Sequence, residues 1–181
     1  MDEFYRPTED SMLLLRFVIR LVEGSVLDMG TGSGVLAVEA ALKPGVTKVL
    51  AVDINPVAME ETRRRAAEQG VTNKISFKVG DLFEGITESF DWIVFNPPYL
   101  PEEGTEDPSW EGGPKGTEIT ERFLKDATSR LKKGGSILLV YSSLTGLDPS
   151  EYAEYDWEAL EEMPLFFEKL YCARLRPVSP S

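Results

Sequence analysis

Short apolar runs alternate along the chain with segments of helical periodicity, and this alternation constrains the fold more than any other feature. In such a pattern each helix crosses between parallel strands of one sheet. The predicted strands span 25–29, 48–52, 74–79, 90–95 and 136–141, and the predicted helices span 8–22, 34–42, 56–69 and 117–131. We therefore predict an α/β fold with a mainly parallel sheet of about seven strands and helices on both faces.

The last third of the chain carries a different pattern. Residues 149–162 are acidic and predict a helix or an irregular segment, whereas 165–175 predict one or two closing strands. Residues 177–181 form a tail with no core to join, and 104–116 form a long polar loop. A chain of 181 residues is long enough for one substantial core, so we expect a single domain over 1–181.

The residue types that the chain lacks exclude several kinds of chemistry. It contains no histidine and a single cysteine, Cys172, which lies in an apolar run and is expected to be a buried, inert thiol. A Ser-His triad, a histidine-bound zinc and a cysteine cluster are therefore excluded within this chain, and no metal site is predicted. The reaction must depend on positioning, on carboxylates or on a cofactor.

The net charge of -12 argues against tight, nonspecific binding of nucleic acid, which requires lysine and arginine to replace phosphate counterions. The charge fits a protein substrate with a basic surface, and it fits equally a role in solubility alone. No apolar run approaches the roughly 20 residues that cross a bilayer, and the acidic N-terminus is unlike a signal peptide. We therefore expect no membrane association and a cytoplasmic location.

A glycine-rich turn, D-M-G-T-G-S-G at 28–34, follows the first predicted strand. Glycines let the backbone approach a ligand closely, and the helix that follows supplies free N–H groups. The spacing is G-x-G-x-G, not the G-x-G-x-x-G of dinucleotide-binding proteins, and Asp28 would tolerate a cationic amino acid better than a pyrophosphate. Alone, the turn could serve NAD, FAD or S-adenosylmethionine, or be only a tight turn.

Two more acids follow the next predicted strands. Asp53 ends the second strand and can accept both hydroxyls of a ribose, while Asp81 follows the third and can accept from an adenine amino group as Leu82 packs on the ring. Each acid alone is better explained as a cap or turn residue. With the glycine turn they favour a nucleoside cofactor, bound where the strands end.

The tetrapeptide Asn96-Pro97-Pro98-Tyr99 follows the fourth strand. Its prolines stiffen the turn, so that the Asn96 side-chain oxygen and the Pro97 carbonyl can accept the two hydrogens of one planar NH2 group while Tyr99 stacks on it. Two such acceptors aim the nitrogen lone pair at an electrophile, such as a sulfonium methyl, without histidine. The alternative is a proline-stiffened surface turn. We interpret the tetrapeptide as the site where an amide-type nitrogen is methylated.

Together these motifs resemble class I S-adenosylmethionine-dependent methyltransferases, in which Asn-Pro-Pro-Tyr is shared by amino-methyltransferases of DNA adenine and of protein glutamine. The segments Y-R-P-T-E-D-S at 5–11 and G-G-P-K-G at 112–116 resemble the HemK-related branch, in particular the compact archaeal and eukaryotic glutamine methyltransferases of class I release factors. The resemblance runs from Tyr5 to about Leu175 and implies a Rossmann-like fold.

The resemblance also implies roles for individual residues. It implies that the methionine end of S-adenosyl-L-methionine is held by Asp28, Gly30, Thr31, Gly32 and Gly34, the ribose and its surroundings by Asp53 and Ile54, and the adenine by Asp81 and Leu82. It further places Tyr5, Pro7, Glu9, Asp10 and Asn96 against the cofactor, and Asn96, Pro97, Pro98 and Tyr99 around the acceptor amide, with Asn96, Pro97 and Tyr99 as catalytic residues.

The implied reaction methylates the glutamine amide of a Gly-Gly-Gln loop in a class I release factor and leaves S-adenosyl-L-homocysteine. The resemblance implies a small zinc-binding activator subunit that pairs with an edge strand at 74–79, and the zinc would belong to that subunit. The acidic segment 148–163 departs from the family pattern. Two alternatives are an adenine amino-methyltransferase acting on DNA or RNA, and a non-catalytic scaffold that keeps the cofactor for stability.

Overall fold

The computed structural model of the protein describes residues 9–98 and 117–178. The helices are α1 (Glu9–Leu21), α2 (Val35–Leu42), α3 (Pro56–Glu68) and α4 (Glu118–Ala127). The strands are β1 (Gly24–Met29), β2 (Val46–Asp53), β3 (Ile75–Val79), β4 (Phe90–Phe95), β5 (Leu131–Ser142), β6 (Tyr155–Pro164) and β7 (Lys169–Pro177). Within the described residues, none of these helices is long and apolar enough to cross a bilayer.

The seven strands form one sheet in the order β3-β2-β1-β4-β5-β7-β6. The pairs from β3 to β5 are parallel, whereas β7 is antiparallel to both of its neighbours, β5 and β6. The strand order reverses at β1, which lies between β2 and β4, and such a reversal opens a crevice at the carboxyl ends of the strands. The predicted Rossmann-like α/β fold is confirmed.

Two hydrophobic cores lie on opposite faces of the sheet. One contains buried residues of α1, α2 and α3, such as Leu14, Ala37 and Met59, packed on Val26 and Leu138 of the sheet. The other contains Phe123 and Leu124 of α4 packed on Ile93, Phe95 and Ile137. Helices therefore cover both faces, as predicted, and the strands between them can be apolar on both sides.

The predicted helix over 117–131 was wrong at its end. Helix α4 ends at Ala127, a 3₁₀ turn spans Thr128–Arg130, and Leu131 already pairs with Phe90 as the first residue of β5. The next pair joins Ser136 to Trp92, so residues 132–135 form an irregular bulge. Gly134 has a φ of 80° there, a backbone conformation that favours glycine.

The acidic segment was also predicted wrongly. It contains β6, an edge strand whose carboxylates pair with bases on β7 and α1: Glu158 with Arg174 and Glu161 with Arg16. A register shift between Ala159 and Glu161 breaks the two-residue alternation, which hides the strand in the sequence. Pro177, assigned to the tail, is the last residue of β7, whereas Cys172 is fully buried as expected.

Candidate active site

The acids and the diproline turn meet at one edge of the sheet. Asp28 lies in β1 and is paired with Ala51 of β2 and Val94 of β4. Asp53 ends β2, and Asn96 follows the last residue of β4. Because these three strands are parallel neighbours, their carboxyl ends bring Asp28, Asp53 and Asn96 to the crevice beside the strand reversal.

The glycine turn adopts a backbone conformation that side chains rarely allow. Gly30, Gly32 and Gly34 have φ angles of 62°, 52° and 75°. The N–H of Thr31 donates to the Val52 carbonyl over 2.9 Å, and the N–H of Gly32 donates to Asp53 Oδ2 over 2.8 Å. The turn is thereby fixed against the end of β2, directly before helix α2 begins.

Close packing explains two of these glycines further. A Cβ at Gly34 would lie 2.7 Å from the Thr62 side chain, and one at Gly30 would lie 3.4 Å from the Phe95 ring. Thr62 is fully buried in α3, and the single proton of its hydroxyl is shared between the Ala58 carbonyl at 2.9 Å and the Gly32 carbonyl at 3.2 Å. Sequence reasoning missed this support for the turn, because a threonine inside a helix carries no signal for it.

Asp28 is almost completely buried, at 1% exposure. The Thr31 hydroxyl donates to its Oδ2 over 2.6 Å, whereas its buried Oδ1 has no hydrogen-bond partner among the described residues. Burial is the main cause that raises the pKa of Asp28 to about 7, and the neighbouring charge of Asp53 adds to it. A buried carboxylate oxygen with no hydrogen-bond partner among the described residues fits a cationic amino group, so the turn suits a ligand that carries an amino acid.

Asp53 helps to build the turn that it borders. Its Oδ2 accepts from Gly32 and its Oδ1 accepts from the Asn55 N–H over 2.8 Å. Each carboxylate oxygen has a second lone pair and can still accept a ribose hydroxyl. The next residue, Ile54, is 69% exposed, so an apolar side chain lies open beside the acid. An adenosine fits this combination of an acceptor and an apolar surface.

Asp81 and Leu82 follow β3, but Asp81 has a partner that the sequence did not indicate. Arg122 of α4 donates to Asp81 Oδ2 over 2.6 Å, and both side chains are partly exposed. Leu82 has a φ of 48°, a strained value for a residue with a side chain, and it packs against the core that contains α4.

The corner after β4 is anchored to the first helix. Asn96 is half-buried, Pro97 is buried and Pro98 is half-buried. The Asn96 Nδ2 donates to the Ser11 hydroxyl of α1 over 3.2 Å, and Ser11 is only 2% exposed. This bond ties the Asn96 amide to α1. The sequence motif at 5–11 contains Ser11, but no role for it was predicted.

Of the predicted N-terminal contacts, Glu9 and Asp10 start α1, with Glu9 exposed and Asp10 3% exposed. Asp10 Oδ1 accepts from the Ser11 N–H over 2.6 Å, which places it close to the Asn96 anchor. Tyr5, Pro7, Tyr99 and the segments 104–111 and 112–116 lie outside the described residues.

Comparisons with known proteins agree with this geometry. Residues 8–150 match the family model of the methyltransferase small domain. A candidate protein N5-glutamine methyltransferase of Methanocaldococcus jannaschii is 41% identical over 80% of this chain and 75% of its own length. The release factor glutamine methyltransferase of Rhodopirellula baltica is 35% identical over 66% of this chain, which spans only 45% of that relative.

A solved structure resembles nearly the whole chain. It is the E. cuniculi Mtq2–Trm112 complex, described as responsible for methylation of the eRF1 translation termination factor, with 28% identity and a TM-score of 0.74 over 97% of this chain and 99% of that one. The methyl donor is S-adenosyl-L-methionine, and the protein is an enzyme. The chain belongs to the methyltransferase small-domain family.

Proposed function

We propose that the protein transfers a methyl group to the side-chain amide of the glutamine in a Gly-Gly-Gln loop of a class I release factor. The observation that carries this proposal is the bond between Asn96 and Ser11, which fixes the Asn96 amide at the corner after β4. The corner that holds it adjoins the crevice of Asp28 and Asp53, so acceptor and cofactor would meet at one edge of the sheet.

S-adenosyl-L-methionine supplies a methyl group on a sulfonium, and it leaves as S-adenosyl-L-homocysteine. In this proposal Asp28 holds its amino group, with Gly30, Thr31, Gly32 and Gly34 shaping the turn around it. Asp53 accepts from the ribose, with Ile54 beside it, and Asp81 and Leu82 border the adenine. Glu9 and Asp10 border the pocket, and the resemblance described above assigns Tyr5 and Pro7 to cofactor binding as well.

The chain would act on the glutamine by orientation. The Asn96 oxygen and the Pro97 carbonyl each accept one amide hydrogen, and the resemblance assigns Pro98 and Tyr99 to binding of the same amide. These two bonds fix the plane of the NH2 group, so that its lone pair faces the methyl carbon as the C–N bond forms and the C–S pair returns to sulfur. One N–H proton is then released, and because the N-methylated cation is a strong acid, no histidine is required.

The relatives support a protein glutamine as substrate, since two of them are named for glutamine methylation and the E. cuniculi complex for methylation of a termination factor. The net charge of -12 favours a basic protein over a polynucleotide as substrate, and it therefore argues against the alternative of an adenine amino-methyltransferase.

We also propose a small zinc-binding activator that pairs with β3. This strand is at the edge of the sheet, so its outer backbone groups have no neighbour within the described sheet. Ser76 and Val79 are exposed along it. The E. cuniculi protein was solved with Trm112 as partner, which supports an activator here.

The test is tritium transfer from labelled S-adenosylmethionine to a purified class I release factor, with and without the activator. We expect label on the factor and none on a variant whose Gly-Gly-Gln glutamine is replaced by alanine. Equal labelling of both would contradict the proposal, and labelling of an adenine-containing oligonucleotide without the factor would support the adenine alternative.

A further inference from the structure

The side chains of two phenylalanines are exposed to solvent at the turn between β6 and β7. Phe166 is 99% exposed and Phe167 is 92% exposed, and their rings lie 6.3 Å apart. Leu144, which is 52% exposed, follows directly on Ser143, whose N–H bonds to Lys169 just past the turn. We call Phe166, Phe167 and Leu144 the apolar tip. Hairpin turns are normally polar, so adjacent exposed aromatic rings need an explanation.

The backbone of the turn that carries the apolar tip is hydrogen-bonded to the sheet. The Leu165 N–H donates to the Glu168 carbonyl over 2.8 Å and closes the turn. The backbone of Lys169 bonds to Ser143 in both directions, through the Ser143 N–H and the Ser143 hydroxyl, each over 2.9 Å. A turn whose backbone is fixed in advance loses little backbone entropy on binding, which suits a docking site.

The apolar tip lies on the same edge of the sheet as Asn96. Strand β5 runs parallel to β4 and ends at Ser142, and Ser142 pairs with Leu170 near the start of β7. Neighbouring strands are about 4.8 Å apart, so β7 lies roughly 10 Å from β4. This separation is too large for the rings to touch the acceptor amide. It is well within the footprint of a docked protein domain, which buries about 800 Å² on each partner.

The charge of the chain indicates which kind of partner the apolar tip can bind. The chain has a net charge of -12. Four of the six carboxylates in 149–167 form ion pairs with Arg16, Lys169, Arg174 and Arg176, so the charge that acts on a partner is that of the whole chain. An anionic membrane, a polynucleotide and a second copy of this chain would all be repelled. A protein with an apolar patch bordered by lysine and arginine would be attracted.

We infer that the apolar tip docks the folded domain of the protein substrate that carries the methylated glutamine, through an apolar patch with a basic border. This inference rests on the proposed function and deepens it, because it assigns recognition of the substrate to a hairpin remote from the reacting atoms. The hairpin would confer specificity for the whole protein, while the diproline corner recognises only the amide.

The test compares Phe166→Ala/Phe167→Ala with the unsubstituted protein, using the release factor as substrate and the activator subunit where methylation requires it. We expect KM for the factor to rise on the order of 10- to 100-fold, because two apolar rings leave the interface, with kcat and the Kd for S-adenosylmethionine unchanged. Ile19→Ala is the matched control. Ile19 is 51% exposed on α1, about 12 Å along the helix from Ser11 and towards the opposite edge.

The outcomes separate the two proposals. If the unsubstituted protein labels the factor and the double variant does so with the same KM, the docking inference is overturned while the proposed function stands. If the unsubstituted protein labels no factor, the proposed function fails and the docking inference fails with it. A double variant with unchanged KM that no longer self-associates in light scattering would assign the apolar tip to a second copy of the chain. One that no longer co-sediments with vesicles would assign it to a lipid surface. Either result would also overturn the inference.

Discussion

Asn96 is bound by a side chain 85 positions earlier in the chain, and this contact ties its amide to α1. The sequence predicts that an asparagine at this turn accepts hydrogen bonds, but an amide can present either its oxygen or its amino group. The turn itself does not indicate that Ser11 binds this amide, because the contact requires α1 to begin at the carboxyl edge of the sheet. A long-range contact of this kind has no local signature in the sequence.

We expect Ser11→Ala to lower kcat by about tenfold and to leave the Kd for S-adenosylmethionine unchanged, because the Asn96 amide could then turn its amino group towards the substrate. Ser11→Thr keeps the hydroxyl and should restore most of the rate. Single-turnover kinetics and calorimetry measure the two quantities. A Ser11→Ala enzyme with full kcat, or a threonine variant no better than alanine, would contradict this role.

Substitutions at Asn96 and at Asp53 should affect different quantities, namely turnover and cofactor affinity. Asn96→Ala should abolish turnover with cofactor affinity nearly intact, because it removes an acceptor used on the substrate amide. Asp53→Ala should weaken cofactor affinity first, since it removes both a ribose acceptor and the bond that fixes Gly32. Calorimetry measures the cofactor affinity of both variants, and initial rates measure their turnover. If Asn96→Ala mainly loses affinity and Asp53→Ala mainly loses turnover, the assignments are wrong.

The raised pKa of Asp28 predicts a pH-dependent affinity. Burial raises this pKa to about 7 in the free protein, with Asp53 as the facing charge that adds to the shift, and a bound ammonium would favour the ionised form. Below pH 7 the cofactor must therefore displace a proton. We expect its affinity to fall as the pH is lowered from about 7 to 5.5, by at most about tenfold per unit.

Calorimetry in buffers of different ionisation enthalpy measures both the affinity and the proton released. Asp28→Asn should bind more weakly at pH 7 and show little dependence over this range. An affinity for the unsubstituted protein that stays constant across the range would contradict the pairing of Asp28 with the ammonium.

At the scale of elements, the strands that lie between helices could be predicted, whereas the strands with a register shift, β5 and β6, could not be predicted correctly. Strand β4 has the predicted bounds because its apolar run is continuous and lies between two cores. Strand β6 was missed because its register shift at Ala159 breaks alternation and its acids are typical of helices. In β5, the bulge at 132–135 places glycines where a helix end was expected. Both errors arise from pairing with a neighbouring strand, which the local sequence does not encode.

The edge position of β3 predicts how an activator is bound. Val79→Lys should weaken activator binding by about tenfold, because Val79 is 53% exposed on the edge strand and would be covered by an added strand. Ile19→Lys, at an equally exposed apolar position on α1, should have no effect. Titration of the zinc-loaded activator by calorimetry tests this, and equal affinities for both variants would place the contact elsewhere.

At the scale of the whole molecule, the strand order explains why residues from distant parts of the chain meet. The glycine turn follows β1, Asp53 ends β2 and the diproline corner follows β4, and the reversal at β1 brings these strand ends to one edge. This convergence was predictable from parallel strands alone. The apolar tip and the Asp81–Arg122 pair were not, because they depend on how the chain returns through β7 and on where α4 packs.

The most direct test of the account is a crystal structure of the protein with S-adenosylhomocysteine and a substrate that contains the Gly-Gly-Gln loop. We predict that the glutamine nitrogen lies about 2.7–3.2 Å from both the Asn96 Oδ1 and the Pro97 carbonyl oxygen, with the sulfur on the opposite side of the nitrogen. A glutamine bound away from this corner, or a corner whose oxygens face away from the sulfur, would contradict the central claim.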